Sequence, residues 1–139
     1  LVHAGIYLPS IDGATLGTVV VAVDTSGSIG QDVLGKFAAE IEGILSAYEV
    51  QLVILYHDSA VAHEQRWEPS DGPLVLEPRG GGGTDHVPVF ERVEADGDAT
   101  CLICLTDGYT RFPDSASVPT MWAMTTDVEA PFGECVRVA

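Results

Sequence analysis

Asp24-Thr25-Ser26-Gly27-Ser28 follows directly on the apolar run Val19-Val20-Val21-Ala22-Val23. A strand that ends in Asp-x-Ser-x-Ser brings one carboxylate and two hydroxyls into a single tight turn. All three are hard oxygen donors, of the kind that suits Mg²⁺, Mn²⁺ or Ca²⁺ rather than zinc. Two further segments offer donors of the same type. Gly80-Gly81-Gly82-Gly83-Thr84-Asp85 opens a glycine-rich turn, and Leu105-Thr106-Asp107-Gly108 closes a second apolar run.

Other chemistries are poorly supplied. His57, His63 and His86 invite a zinc reading, but no His-Glu-x-x-His occurs and no third ligand sits at a standard spacing. Satisfied or exposed histidines are the expectation. Cys101-x-x-Cys104 is half of a zinc or redox motif without its second half, and it lies inside the apolar run Cys101-Leu102-Ile103-Cys104-Leu105. Buried core thiols are expected there. The glycine run lacks the Gly-Lys-Ser/Thr that a phosphate-cradling loop needs. Ser26 interrupts the contiguous Asp-Thr-Gly of an aspartic peptidase and stands where an Asp-x-Asp phosphatase needs its second carboxylate. Asp58 reads as a turn former rather than an outer partner of the site. Trp67 and Trp122 read as packing residues.

The elements that must position these donors follow from hydrophobic periodicity. Residues 17–23 form a continuous apolar run, as a strand buried on both faces does. Residues 31–48 carry apolar side chains at Val33, Leu34, Phe37, Ala38, Ile41, Ile44, Leu45 and Tyr48, the stripe of a helix packed on one face. Val50–Tyr56 is a second buried strand, and Ala60–Trp67 returns as an antiparallel edge. Residues 68–83 hold three prolines and five glycines and make the longest loop. A short helix at about 86–94 follows, with Asp85 as its N-cap. Thr100–Leu105, Thr120–Thr125 and Glu134–Val138 complete the strands. Pro113–Ser117 is too short for a full crossover helix. Strands alternating with helices imply an α/β sheet with mostly parallel strands. Such sheets bind ligands beyond the carboxyl ends of their strands, where the strand order reverses. Asp24 and Asp107 meet at one crevice if their strands are neighbours.

The chain has 139 residues, which fits a single domain, 1–139, with residues 1–16 as a lead-in segment. Leu1 rather than Met stands first, so a piece of a longer polypeptide is expected. Net charge is −15, with one lysine and five arginines, so no basic patch for nucleic acid can be built. No run approaches the ~18 apolar residues of a membrane span. Three cysteines and no signal peptide favour a reducing, cytoplasmic setting.

Asp24-x-Ser26-x-Ser28, then Thr84 after a glycine run, then Asp107 in a Thr-Asp-Gly end together resemble the metal-ion-dependent adhesion site of von Willebrand factor A domains. The resemblance runs from about residue 17 to the end. It is nearest to the short bacterial von Willebrand A-like family, found C-terminal to a metallopeptidase-like domain and often encoded beside a MoxR-type AAA+ ATPase. Leu8-Pro9-Ser10, Gly81-Gly82-Gly83-Thr84-Asp85, Leu105-Thr106-Asp107-Gly108 and Pro131-Phe132-Gly133 are similar to that family's landmarks.

The resemblance implies a doubly wound sheet of order 3-2-1-4-5-6, with the third strand antiparallel at the edge and helices on its faces. It implies Ser26 and Ser28 as direct ligands, Thr84 as a direct or water-mediated one, and Asp24 and Asp107 acting mainly through water. One coordination position would stay open for a partner's Asp or Glu. The expected function is a divalent-cation-binding interaction module, not an enzyme, whose partner belongs to a MoxR-type ATPase assembly. The rivals are a scaffold with a vestigial site and a metal-dependent hydrolase. The short stretch between Asp107 and the next strand puts the usual second helical layer in doubt on one face.

Overall fold

A computed structural model describes residues 15–25, 30–45, 49–57, 61–68, 71–76, 86–97, 99–108, 112–116 and 118–137. Six strands and two helices lie among them: β1 (Thr15–Asp24), α1 (Gln31–Leu45), β2 (Glu49–His57), β3 (Val61–Trp67), α2 (Val87–Asp96), β4 (Ala99–Thr106), β5 (Thr120–Met124) and β6 (Glu134–Arg137). They form one sheet of order β3-β2-β1-β4-β5-β6. Every pairing is parallel except β2 with β3. The order, the antiparallel edge and the α/β class are those expected from the sequence. β1 starts at Thr15, two residues ahead of the apolar run, inside the stretch read as a lead-in.

Both faces of the sheet are covered, which explains the uninterrupted apolar runs. Val19, Val21 and Val23 face Leu34, Phe37, Ala38 and Ile41 of α1, in a core that also takes Trp67 and Leu74. The Leu74 N–H donates to Glu42 Oε1 at 2.7 Å, so the proline-rich loop is pinned to α1. Val20 and Ala22 face the other way, toward Val89, Phe90 and Val93 of α2. Cys101 and Cys104 fall on opposite faces because strand side chains alternate with a period of two. A residue and its third neighbour on a strand cannot chelate together, so Cys101-x-x-Cys104 is not a pair. Both thiols are free and buried. Burial pushes the Cys101 thiol from its ordinary 9.0 up to about 12.

The α2 face carries no crossover helix between β4 and β5 among the described residues. Loop side chains take its place. Phe112 and Phe132 pack edge-on against Trp122, with ring centroids at 4.9 and 5.8 Å, and Phe90 stacks on it at 5.5 Å. The indole N–H donates to the Phe132 carbonyl at 2.9 Å. Gly133 makes this return possible. Its φ is +75°, and a Cβ there would lie 2.7 Å from the Thr120 carbonyl oxygen.

The expected N-cap of α2 is corrected. His86, not Asp85, occupies that position, and it makes no side-chain cap. Its ring is fully buried and packs against Trp122 and Phe112 instead. A side chain committed to the core cannot fold back onto the helix end. Pro88 in the first turn supplies preset φ, and Gly97 at φ +71° closes the helix through its N–H to the Val93 carbonyl. No described helix is long and apolar enough to cross a membrane.

Candidate metal centre

β1 and β4 are neighbours that run the same way, with Val23 level with Leu105. Their carboxyl ends therefore deliver Asp24 and Asp107 to one edge of the sheet. β2 pairs with the opposite side of β1, so this is the point where the strand order reverses. Asp24 is fully buried, and Asp107 is only 9% exposed.

Hydroxyls and carbonyls of neighbouring strands hold the described residues at the ends of β1 and β4. Thr106 Oγ1 donates to Asp24 Oδ2 at 2.7 Å and accepts the Gly108 N–H at 3.1 Å. One hydroxyl thus ties the carboxylate at the end of β1 to the turn after β4. Burying a carboxylate is costly unless it is hydrogen-bonded, and Thr106 offsets part of that cost. Thr126 Oγ1 donates to the Asp107 carbonyl at 2.5 Å, which anchors the same turn to the exit of β5. On the other flank, the His57 carbonyl accepts both the N–H and the hydroxyl of Thr25, at 2.9 and 3.0 Å. The segment that leads into Ser26 is thereby fixed to the end of β2.

Of the five site residues expected from the sequence, the structure brings Asp24 and Asp107 to one edge. Ser26, Ser28 and Thr84 lie outside the described residues, as do the glycine run, Asp58, Asp85 and Leu8-Pro9-Ser10. The described part of the set is all oxygen and nearly dry. Oxygen donors of this kind suit a hard cation. Thr106 has a role that the sequence did not disclose. Its place before Asp107 marks it only as part of a strand end, and its contact with Asp24 bridges residues far apart in the chain.

Gly108 sets the direction of the Asp107 turn. Its φ is +83°, and a Cβ there would come within 2.7 Å of the Val128 side chain. Gly108→Ala is expected to destabilise the domain by about 1–3 kcal/mol, through the left-handed backbone alone or with the clash added. Urea denaturation checks this. A variant as stable as the parent would mean that the turn does not need this conformation.

A second group of donors lies on the same sheet face. His57 Nε2 and His86 Nδ1 are 2.8 Å apart, and Cys104 Sγ is 3.9 Å from His86 Nδ1. All three residues are fully buried, and the donor atoms lie within 4.8 Å of one another. Burial pushes the Cys104 thiol well up, and the negative charge of Asp24 adds to the effect. The sequence expectation of satisfied histidines is met only in part, because one nitrogen of each ring is used in this pair while His57 Nδ1 and His86 Nε2 are buried with no hydrogen bond among the described residues. The convergence with Cys104 escaped it, because the three residues come from a strand end, a helix start and a second strand. His63 takes no part and stacks on Tyr56 instead.

Comparison with known proteins gives two matches. The family profile described as VWA-like domain (DUF2201) matches residues 19–139. An uncharacterized protein of Thermotoga maritima is 31% identical over 107 residues. That alignment covers 77% of this chain but only 27% of the relative, so the chain spans about a quarter of that protein's length. No solved structure matches.

Proposed function

Because the chain belongs to the VWA-like domain family, we propose that it binds one divalent cation at the carboxyl edge of β1 and β4 and uses it to hold a protein partner. The observation that carries this reading is the arrival of Asp24 and Asp107 from adjacent parallel strands at the switch point of the sheet. The ligand set is Asp24, Ser26, Ser28, Thr84 and Asp107, and the ion is Mg²⁺, with Mn²⁺ or Ca²⁺ as substitutes. A bound ion of this class supplies a positive centre that a partner's Asp or Glu can complete. Binding, not catalysis, is the role that follows. No general base stands out in the motif set beyond the ligands themselves.

The surrounding residues act as a positioning frame. Thr106 orients the Asp24 carboxylate, and the His57 carbonyl fixes Thr25. The net charge of −15 disfavours acidic partners at long range. The charge is felt most at low ionic strength, so the contact must be made locally at the ion, and added salt should ease the approach.

The partner in this reading is a MoxR-type AAA+ ATPase assembly. The parent protein would carry a metallopeptidase-like domain ahead of this one. The test is binding of the purified domain to the MoxR-type ATPase of the same organism, in Mg²⁺ and in EDTA, with the parent and with Thr84→Ala. Capture by the parent in Mg²⁺, lost in the other three conditions, is expected. Equal capture in all four would show that the metal site is not the contact.

A further inference from the structure

We propose that His57, His86 and Cys104 form a second metal site, for a thiophilic ion of the Zn²⁺ class, buried beneath the oxygen site and chemically distinct from it. The donors are two imidazole nitrogens and one sulfur, a set that selects zinc over Mg²⁺ or Ca²⁺. Their separations are 2.8 Å between the nitrogens and 3.9 Å from His86 Nδ1 to the sulfur. Around a tetrahedral zinc, nitrogen donors sit roughly 3.3 Å apart, and nitrogen and sulfur roughly 3.6 Å apart. Shifts of about half an ångström bring these two separations to the tetrahedral values, and the remaining pair, no more than 4.8 Å apart, closes by at most about 1.2 Å. The ion would replace the hydrogen bond between the two rings.

The location gives the site a structural consequence. His57 ends β2, His86 stands at the start of α2, and Cys104 lies within β4. One ion would join all three. It would fix the start of α2, two residues beyond Thr84 in the sequence. It would also sit on the sheet face that carries Asp24, whose charge acts on the Cys104 thiol. A divalent ion there offsets the repulsion between that carboxylate and a thiolate. Binding requires the thiol to lose its proton to solvent as the sulfur–metal bond forms, with no change of oxidation state.

Cobalt(II) is the probe, because it reports sulfur and oxygen donors differently. One equivalent of Co²⁺ is added anaerobically to the intact protein and to Cys135→Ser, which removes the exposed thiol. Both should show a thiolate-to-cobalt charge-transfer band in the near ultraviolet and intense tetrahedral bands in the visible. Zn²⁺ should bleach them. Cys104→Ser should lose the charge-transfer band, whereas Ser26→Ala with Ser28→Ala should keep it. That last arm separates this site from the oxygen site, whose loss would leave these bands untouched. X-ray absorption of the zinc-loaded parent should give one sulfur and two imidazole neighbours, a measurement that does not depend on any variant folding. A pale octahedral cobalt spectrum alone, or a charge-transfer band that survives Cys104→Ser, would overturn the proposal.

Discussion

Trp122→Ala is expected to destabilise the domain by about 3–5 kcal/mol, the range for truncating a buried aromatic side chain. Trp122 is fully buried at the middle of β5. Its ring is the hub of the α2 face, meeting His86, Phe90, Phe112 and Phe132. Truncation would leave a cavity between α2 and the loop rings of Phe112 and Phe132. It would also remove the donor to the Phe132 carbonyl and free the Pro131-Phe132-Gly133 turn. A domain of this size is stable by only about 5–15 kcal/mol, so the loss is a large share of the total. Urea denaturation followed by circular dichroism should show a lower midpoint with an unchanged slope. The control is Val75→Ser at a position 66% exposed, where a change within about 0.5 kcal/mol is expected. A Trp122→Ala cost as small as the control's would mean that loops, not the indole, hold that face.

The central strands were legible because their faces are both covered. Val19 to Val23 and Cys101 to Leu105 are buried without a break, and a continuous apolar run is the trace this leaves in a sequence. The stripe of α1 was legible for the complementary reason. Leu34, Phe37, Ala38 and Ile41 recur at helical spacing because one side alone meets the sheet. The start of α2 was misread because capping rules weigh Asp85 by its type alone. They carry no information about His86, whose ring is held by an aromatic core contributed by β5 and two loops. That core is a tertiary feature, and no local pattern announces it.

The same division runs through the site. Asp24 and Asp107 stood out because each closes an apolar run, and parallel topology sends such residues to a common edge. Thr106 did not stand out, since its hydroxyl acts across strands on a carboxylate that sequence spacing leaves remote. His57, His86 and Cys104 were separated for the same reason. Ligand spacing rules find donors on one helix or one hairpin, and these three come from separate elements.

Divalent cations are expected to raise the melting temperature of the domain, and this is the most direct test of the metal-binding account. Asp24 and Asp107 are buried at one end of adjacent strands, and an ion that binds there only in the folded state stabilises that state. A ligand at a hundredfold excess over its dissociation constant adds about 2.7 kcal/mol. For a domain of this length that corresponds to on the order of 5–10 °C. Ser26→Ala combined with Ser28→Ala removes two of the proposed ligands, so it should abolish the gain while leaving the fold intact. The measurement is a thermal melt of the EDTA-treated protein, repeated with millimolar Mg²⁺, Mn²⁺ or Ca²⁺. The account predicts an upward shift for the parent with at least one of these ions and none for the double serine variant. A parent whose melting temperature is unmoved by all three would contradict it.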